Sequence, residues 1–182
     1  MKISFVRGIG ESMAPKVIIV TREELQRKIK TKMVLIDTGV VSRLFEFFVS
    51  RGNIEGTALL RGRIIGEYLV IKDAYCCRNS EGTSTSAVTD AGCFAEASKI
   101  KDGNYIVGSA HSHVGGIPVF MSTPDRKTQR DFQAIFSDAV SMVMNPFTPD
   151  GICFKFYRFE NGTLKQLRYG YLRDGNEDRV QA

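Results

Sequence analysis

The chain has 182 residues and a mass of 20.3 kDa, which suits one domain with a small appendage. Hydrophobic residues make up 43% of it and charged residues 25%, and this ordinary balance excludes a disordered or fibrous protein. The net charge of +5 is moderately basic, but no aromatic-interleaved basic patch accompanies it, so nucleic acid is not an expected partner.

The first 32 residues form a candidate N-terminal extension of unknown role. Residues 2–7 and 16–20 have the composition and alternation of short strands. Thr21 follows as a helix cap, and the charged segment after it predicts a helix over residues 22–32. We therefore expect a strand, strand and helix before the main domain begins.

Residues 33–172 form the expected main domain, and residues 173–182 form a polar C-terminal tail. The patterns predict first a strand at 34–36 and a helix ending at Gly52. An antiparallel hairpin over 54–77, turning between Gly62 and Gly66, and a Ser/Thr-rich loop at 79–89 follow. Next comes a helix at 90–100 whose inner face is Phe94, Ala97 and Ile100. A strand from Tyr105 and a helix from Thr123 follow, and the helix would bury Phe132, Ile135, Phe136 and Ala139. After them we expect a strand at 141–144, stopped by Asn145 and Pro146. The last predicted elements are a strand at 152–159 and residues 164–172, joined by an Asn161–Gly162 turn. The fold class is therefore α/β, with a mixed, mainly antiparallel sheet flanked by helices.

The cysteines and the apolar segments bear on the cellular compartment. Cysteines at positions 76, 77, 93 and 153 form no C-x-x-C pair, and the two vicinal ones would face opposite sides of a strand. Charge and glycine interrupt the segment MKISFVRGIGE, which is not typical of a secretory h-region, and no uncharged apolar stretch approaches the ~20 residues that a membrane helix needs. We expect a cytoplasmic protein with reduced cysteines and no membrane partner.

Both histidines of the chain, His111 and His113, lie two residues apart at the end of a predicted strand. The strand period of two would point both imidazoles to the same face. The segment from Ser122 to Asp125 predicts a helix start, which would bring a carboxylate back toward them. Two histidines and one aspartate supply three zinc ligands and leave a fourth position for water, as in catalytic zinc sites.

The histidine pair followed by Ser122 and Asp125 resembles the signature of the JAMM (MPN+) zinc metalloprotease family. That family also has a glutamate on the strand after its first core helix, several residues before a glycine, and Glu55 occupies that place. The resemblance extends over residues 33–172 and implies an MPN/JAMM catalytic domain. It implies one Zn²⁺ per chain, held by His111, His113 and Asp125.

The resemblance also implies what the site does. Glu55 would be the catalytic carboxylate, acting first as general base and then as general acid, and Ser122 would stabilise the oxyanion. Family members cleave isopeptide bonds between lysines and ubiquitin or ubiquitin-like proteins, and this chain is most similar to the proteasome-lid deubiquitinase type. The implied partners are ubiquitin-like conjugates and the proteasome. Residues 79–89 stand where the family pairs with the substrate tail, whereas the second family insertion, at 145–151, is short.

Two alternatives to a deubiquitinase stay open. The same site could release or trim a sulfur-carrier-like protein, which changes the partner but not the chemistry. The chain could also be a non-catalytic MPN scaffold, like relatives that have lost the metal residues. Two departures from the family pattern lie near the site: Val114 replaces the usual proline, and the loop from His113 to Ser122 is one residue longer.

Overall fold

The structure is a computed structural model that describes residues 2–6, 16–20, 30–85, 89–148 and 151–172. Its helices are α1 (Thr38–Ser50), α2 (Ala91–Lys99) and α3 (Thr123–Ile135). Its strands are β1 (Lys2–Val6), β2 (Lys16–Val20), β3 (Met33–Asp37), β4 (Thr57–Ile65), β5 (Tyr68–Cys76), β6 (Tyr105–Ser112), β7 (Val140–Thr148), β8 (Gly151–Glu160), β9 (Thr163–Leu167) and β10 (Tyr169–Leu172). The predicted α/β class is confirmed. No helix in these ranges is long and apolar enough to cross a membrane.

A mixed sheet of eight strands, in the order β10-β3-β5-β4-β6-β7-β8-β9, organises the described part of the chain. The pairs β10/β3, β3/β5 and β6/β7 run parallel, and the other neighbours run antiparallel. Strands β1 and β2 form a separate antiparallel pair. Strands β4 and β6 lie in the middle of the large sheet, where hydrogen bonds on both sides hold their backbones in place.

Helix α1 covers one face of the sheet. The Asp37 carboxylate caps it by accepting a hydrogen bond from the Gly39 amide at 2.8 Å. The helix buries Val40, Leu44 and Phe48 at helical spacing. They belong to the larger hydrophobic core, whose sheet members include Leu60, Ala110, Met142 and Phe156.

Helices α2 and α3 lie on the opposite face, which holds a smaller core. Leu59 of β4 packs there with Cys93 and Ala97 of α2. Phe94 of α2 and Phe132 of α3 contact each other with ring centroids 5.5 Å apart. The candidate site lies on this face, at the end of β6 next to the start of α3.

Three strand predictions differ from the structure. Residues 164–172 form two strands, β9 and β10, at opposite edges of the large sheet rather than one strand. Two strand boundaries are also shifted. The hairpin of β4 and β5 is antiparallel as predicted, but it turns at residues 66–67 rather than between Gly62 and Gly66. Strand β7 does not stop at Asn145 and Pro146 but continues to Thr148. The pairing of β7 with β8 shifts register between Asn145 and Thr148, so Pro146 occupies an irregularity where its missing N–H breaks no ladder bond.

The predicted buried stripe on α3 is wrong at its C-terminal end. Helix α3 ends at Ile135, whose side chain is 78% exposed, and Phe136 is already extended with φ −138°. Ala139 is buried, but it lies beyond the helix, so the helical period no longer applies to it. On α2, Ala97 is buried as predicted, whereas Ile100 is exposed because the helix ends before it.

The terminal predictions mostly concern residues outside the described ranges. The helix predicted over residues 22–32 falls there except for residues 30–32, which are not helical. The tail at 173–182 also lies outside the described residues. The strands predicted at 2–7 and 16–20 are confirmed as β1 and β2.

Cys77 and Cys93 form a disulfide, so the prediction that all four cysteines are reduced is wrong. Cys77 follows β5 directly and Cys93 lies in the first turn of α2, so the bond closes the loop between these elements. Cys76 and Cys153 are free. The cytoplasmic location stays a prediction, because a structural disulfide is typical of oxidising compartments or of hyperthermophilic hosts.

Removing this disulfide is expected to destabilise the fold. A disulfide that closes a loop of roughly 15 residues restricts the unfolded chain and contributes about 3 kcal/mol, and this one spans 16 positions. Under non-reducing conditions, Cys93→Ser should therefore lower the free energy of unfolding, measured by urea denaturation, by that amount. Cys153→Ser, which removes a free thiol, is the control; equal stability of the two variants would contradict the prediction.

A buried polar cluster, which we call the Asp138 cluster, joins the segment before β3 to β8. The Asp138 carboxylate accepts hydrogen bonds from the Thr31 amide at 2.8 Å and the Thr31 hydroxyl at 2.6 Å. Arg158 Nη1 lies 3.4 Å from the same carboxylate, and Nη2 donates to the Thr31 carbonyl at 2.8 Å and to Glu160 at 2.5 Å. Asp138, Arg158 and Thr31 are each at most 3% exposed, so the charges lie away from water.

Candidate metal centre

The end of β6 brings the two histidines to the same face of the sheet. His111 lies within the strand and His113 follows it directly, while Ser112 between them points away and is fully buried. The His113 amide donates to the Met144 carbonyl of β7 at 2.8 Å, which keeps the backbone extended past the strand end. The two imidazole centroids are 5.4 Å apart. The strand periodicity therefore predicted their common face correctly.

A capping box at the start of α3 positions Asp125. The Ser122 hydroxyl donates to Asp125 Oδ2 at 2.6 Å, and the Ser122 amide donates to the same oxygen at 2.8 Å. The Asp125 amide in turn approaches the Ser122 hydroxyl oxygen at 3.4 Å. These reciprocal bonds fix the carboxylate toward the histidines. The predicted helix start, with Pro124 in its first turn, is confirmed.

One potential ligand atom from each of His111, His113 and Asp125 lies within 4.8 Å of the other two. His111 Nε2 is 3.5 Å from Asp125 Oδ2. Ligands about 2.0–2.2 Å from a tetrahedral zinc lie roughly 3.3 Å from one another. The three side chains could therefore hold one metal ion once their ligand atoms move closer together.

Two hydrogen-bonding features support a metal at this place. His111 Nε2 is buried and has no hydrogen-bond partner among the described residues, although buried polar atoms are normally paired. His113 Nδ1 donates to the Pro118 carbonyl at 2.6 Å, because that oxygen can only accept. With the proton on Nδ1, the lone pair of His113 Nε2 is available for a metal, as is usual for zinc-binding histidines.

Burial keeps His111 neutral at physiological pH. Burial is the main cause that lowers the pKa of His111 from 6.5 to about 4; the charge of Asp125 opposes the shift, and His113 adds to it. A metal binds the neutral form of imidazole. The environment therefore holds His111 in the protonation state that a metal ligand needs.

Glu55 lies two residues before β4, close enough to the candidate metal ligand Asp125 to feel its charge. In the register of β4 and β6, Thr57 lies opposite His111, so Glu55 lies opposite His113 when the register is continued. The Ser112 amide donates to the Gly56 carbonyl at 3.0 Å, which extends the pairing toward Glu55. The structure thus brings this carboxylate, predicted from the family resemblance, to the same edge as both histidines.

Burial raises the pKa of Glu55 from 4.5 to about 7, and the negative charge of Asp125 contributes to the rise. The residue is only 5% exposed. A cation bound beside it would stabilise the carboxylate and lower this pKa. A buried carboxylate whose pKa lies near neutrality can both accept and donate a proton.

The loop at 79–89 contacts Glu55 through its backbone. The Glu55 amide donates to the Thr83 carbonyl at 2.8 Å. At Gly82, a Cβ atom would lie 2.3 Å from the Glu55 carbonyl oxygen, so a side chain at this position would force the two segments apart. Residues 79–85 therefore form a border of the site, while residues 86–88 lie outside the described part.

The loop between His113 and α3 is held from several sides, despite Val114 and its extra residue. The Asn145 side chain, fully buried, donates to the Gly115 and Ile117 carbonyls at 3.0 and 2.7 Å. The Tyr157 hydroxyl donates to the Val119 carbonyl at 3.2 Å. Val114 itself is 7% exposed and packs inward. The departures from the family pattern thus lie in an anchored loop.

A cleft of about 220 Å³ opens beside His111, Ser122 and Asp125. Its wall includes Phe94 of α2 and Phe132 of α3. Thr85 and Thr89 also line it, and they belong to the loop at 79–89 that the family resemblance assigns to the substrate tail. The other lining residues were not predicted as part of a site: Thr57, Ser109, Ala110, Pro124, Thr128 and Ser141. A sequence signal existed for two of them, since Thr57 lies two residues after Glu55 and Ser109 two before His111, at the strand period.

No protein-family model matches the sequence, and no curated protein matches it. The fold is similar to the solution structure of protein DSY2949 from Desulfitobacterium hafniense, with a TM-score of 0.63 and 16% sequence identity. The similarity covers 78% of this chain and 94% of that chain. At this identity it shows a shared fold alone.

Proposed function

We propose that this chain is a zinc-dependent isopeptidase with a JAMM-type MPN domain. Its reaction would be hydrolysis of the amide between the C-terminus of ubiquitin or a ubiquitin-like modifier and a lysine. The observation that carries the proposal is the convergence of His111, His113 and Asp125 on one point, with the buried Nε2 of His111 unpaired among the described residues. Glu55 at the same sheet edge supports a hydrolytic rather than a structural role for the metal.

A zinc ion held by His111, His113 and Asp125 would supply Lewis acidity and lower the pKa of water from 15.7 to about 7. Glu55 accepts the proton of the attacking water and later donates it to the leaving amine of the lysine. Its burial at the same sheet edge as the two histidines places it to make both transfers. The reaction proceeds without a covalent bond between enzyme and substrate.

Ser122 has two uses in this proposal. In the structure its hydroxyl donates to Asp125, which positions the metal ligand. Ser122 also lines the cleft with His111, so its hydroxyl can turn toward the substrate carbonyl once the carboxylate binds a metal. There it would donate to the oxygen that becomes negative during attack.

Metal content and cleavage test the proposal together. Purified protein is expected to contain about one zinc per chain and to cleave di-ubiquitin or another modifier conjugate from a panel. Asp125→Asn should lose both the zinc and the cleavage. Asp131→Asn, an exposed aspartate on the same helix, is the matched control and should keep both.

Each possible result of this experiment supports or contradicts a named part of the proposal. Protein without zinc would contradict the metal centre, and zinc-loaded protein inactive on every conjugate would favour the scaffold alternative. Cleavage confined to sulfur-carrier conjugates would keep the chemistry and change the partner. A proteasome partner is tested separately by co-purification of the full chain with proteasome particles.

A further inference from the structure

The imidazole of His113 is oriented by a hydrogen bond to the loop that follows it. Its Nδ1 donates to the Pro118 carbonyl at 2.6 Å, which leaves Nε2 as the nitrogen available to a metal. A ligand histidine that loses such a partner can rotate or change its tautomer. The position of the Pro118 carbonyl therefore determines whether His113 is ready to bind a metal.

The loop after His113 has little rigidity of its own. Gly115 and Gly116 are adjacent, and Gly115 has a φ of +58°, so the start of the loop has the conformational freedom of glycine. Val114 stands where the family usually has a proline, and the loop is one residue longer than the common spacing. A defined position of the Pro118 carbonyl thus requires contacts from outside the loop.

Asn145 of β7 supplies such contacts. Its side-chain nitrogen donates to the carbonyls of Gly115 at 3.0 Å and Ile117 at 2.7 Å. Its side-chain oxygen accepts from the Phe147 amide at 2.8 Å, and the residue is fully buried, so water does not compete for these bonds. Ile117 directly precedes Pro118, whose ring holds its φ at about −65°. Holding the Ile117 carbonyl therefore restricts the direction of the Pro118 carbonyl.

Tyr157 of β8 holds the loop on the other side of Pro118. Its hydroxyl donates to the Val119 carbonyl at 3.2 Å, and its side chain packs with Val119 in a small buried cluster. Strands β7 and β8 are paired antiparallel, so Asn145 and Tyr157 reach the loop from one part of the sheet. The neighbours of Pro118 on both sides are thus fixed.

Phe120 also contacts His113 but does not explain its orientation. The two ring centroids are 5.1 Å apart in an edge-to-face arrangement. The Phe120 side chain is 46% exposed, and its hydrocarbon ring offers no oxygen or nitrogen to accept the proton of Nδ1. This contact can support the imidazole, but it does not select which nitrogen carries the proton.

We infer that Asn145 is a positioning residue that acts through the Pro118 carbonyl and holds His113 in the orientation and tautomer a metal ligand needs. This inference rests on the proposed function, because it takes His113 as a metal ligand. Outer partners of ligand histidines typically contribute about 10–100-fold in metal affinity. Asn145→Leu is therefore expected to weaken zinc binding by that factor, measured by competition with a chelator of known affinity.

Gln133→Met is the matched control. The Gln133 side chain also donates to two carbonyls, those of Ser137 at 3.1 Å and Phe159 at 2.9 Å, and accepts from the Phe159 amide at 2.8 Å. None of these groups belongs to the loop after His113. Both substitutions replace an amide with an apolar side chain of similar size, so both should lower the midpoint of thermal unfolding. Only Asn145→Leu should weaken zinc binding.

The tautomer of His113 gives a second measurement that needs no metal. Nitrogen-15 NMR spectra of metal-free protein at pH 8 distinguish a proton on Nδ1 from one on Nε2, and the chain has only two histidines. Wild type and Gln133→Met should show the proton of His113 on Nδ1. Asn145→Leu should show a mixture of the two tautomers, which a merely structural role of Asn145 would not produce.

Tyr157→Phe, which removes only a hydroxyl, decides the inference if Asn145→Leu does not fold. It should weaken zinc binding and mix the tautomers in the same direction. In protein that binds zinc, an affinity equal to that of Gln133→Met, or an unchanged tautomer of His113, would overturn the inference and leave the metal centre supported.

The two measurements separate this inference from the proposed function. Wild-type protein that binds no zinc, but loses the Nδ1 tautomer in Asn145→Leu, would contradict the proposed function and support the positioning of His113. Protein whose zinc binding depends on Asn145, but which cleaves no conjugate, would contradict the isopeptidase and support the inference. Absence of zinc together with an unchanged tautomer in Asn145→Leu would overturn both.

Discussion

Glu55→Gln is expected to lower kcat for conjugate cleavage by about 10³-fold, within the 10²–10⁴ that a positioned general base contributes. Glutamine has the shape of glutamate but cannot accept the proton of the attacking water. Because Glu55 is not a metal ligand in this site, the variant should still contain about one zinc per chain. KM should change little, since the lost interaction belongs to the transition state.

Glu67→Gln is the control for this variant. Glu67 is exposed in the turn between β4 and β5, so its substitution should leave both kcat and zinc content unchanged. Glu55→Gln enzyme with wild-type kcat would remove Glu55 from the mechanism. Loss of zinc in Glu55→Gln would instead place Glu55 among the groups that hold the metal.

Glu55→Gln is expected to lower the rate of cleavage but to stabilise the fold of the metal-free protein at alkaline pH. The pKa of Glu55 is raised from 4.5 to about 7 on folding, so its stabilising effect is fully present below pH 4.5 and lost as the pH rises through 7. At pH 8 the buried carboxylate therefore disfavours the fold, and glutamine should increase the free energy of unfolding by about 3 kcal/mol. Urea denaturation in a chelating buffer at pH 4 and pH 8 measures this difference, which should disappear at the lower pH.

Asp138→Ala is expected to reduce the free energy of unfolding by about 3–5 kcal/mol. The substitution removes the acceptor of the Thr31 amide and hydroxyl and leaves Arg158, which is 2% exposed, with one carboxylate partner instead of two. A buried charge that loses a partner keeps the cost of its lost hydration. Urea denaturation of the full chain gives the change directly.

Asp131→Ala provides the comparison, because Asp131 is exposed on α3. Its substitution should change the free energy of unfolding by no more than about 0.5 kcal/mol. Equal effects of the two substitutions would show that the Asp138 cluster contributes no more than a surface charge. The double variant Asp138→Ala/Arg158→Met should be more stable than Asp138→Ala alone, since it removes the charge that the single substitution leaves behind.

The convergence of the three candidate metal ligands could be predicted from the sequence because their geometry is local. A spacing of two puts His111 and His113 on one face of a strand, and helix-start residues place Asp125 at a helix terminus. Glu55 differs, since nothing within its own segment distinguishes it from an ordinary acid. It was identified from the family resemblance, and the structure places it beside the histidines through strand pairing.

Contacts between residues that are distant in the chain could not be predicted from local sequence patterns. In the Asp138 cluster, Thr31 lies 107 positions before Asp138, and no periodicity connects the two. The disulfide depends on how close α2 comes to the end of β5, which the spacing of Cys77 and Cys93 does not reveal. Strand β7 continues through Pro146 because the neighbouring strand tolerates an irregular register there.

The pairing of β3 with β10 has a consequence for the synthesis of this protein. Val34, at the start of the main domain, lies next to Tyr169, near its end, in a parallel pair of strands. On a ribosome, β3 emerges early but cannot gain this neighbour until β10 has been translated. Closing so long a segment is slow because its entropy must be lost before the contact forms. The nascent chain therefore carries an unpaired strand edge for most of its translation, when association with other chains is most damaging.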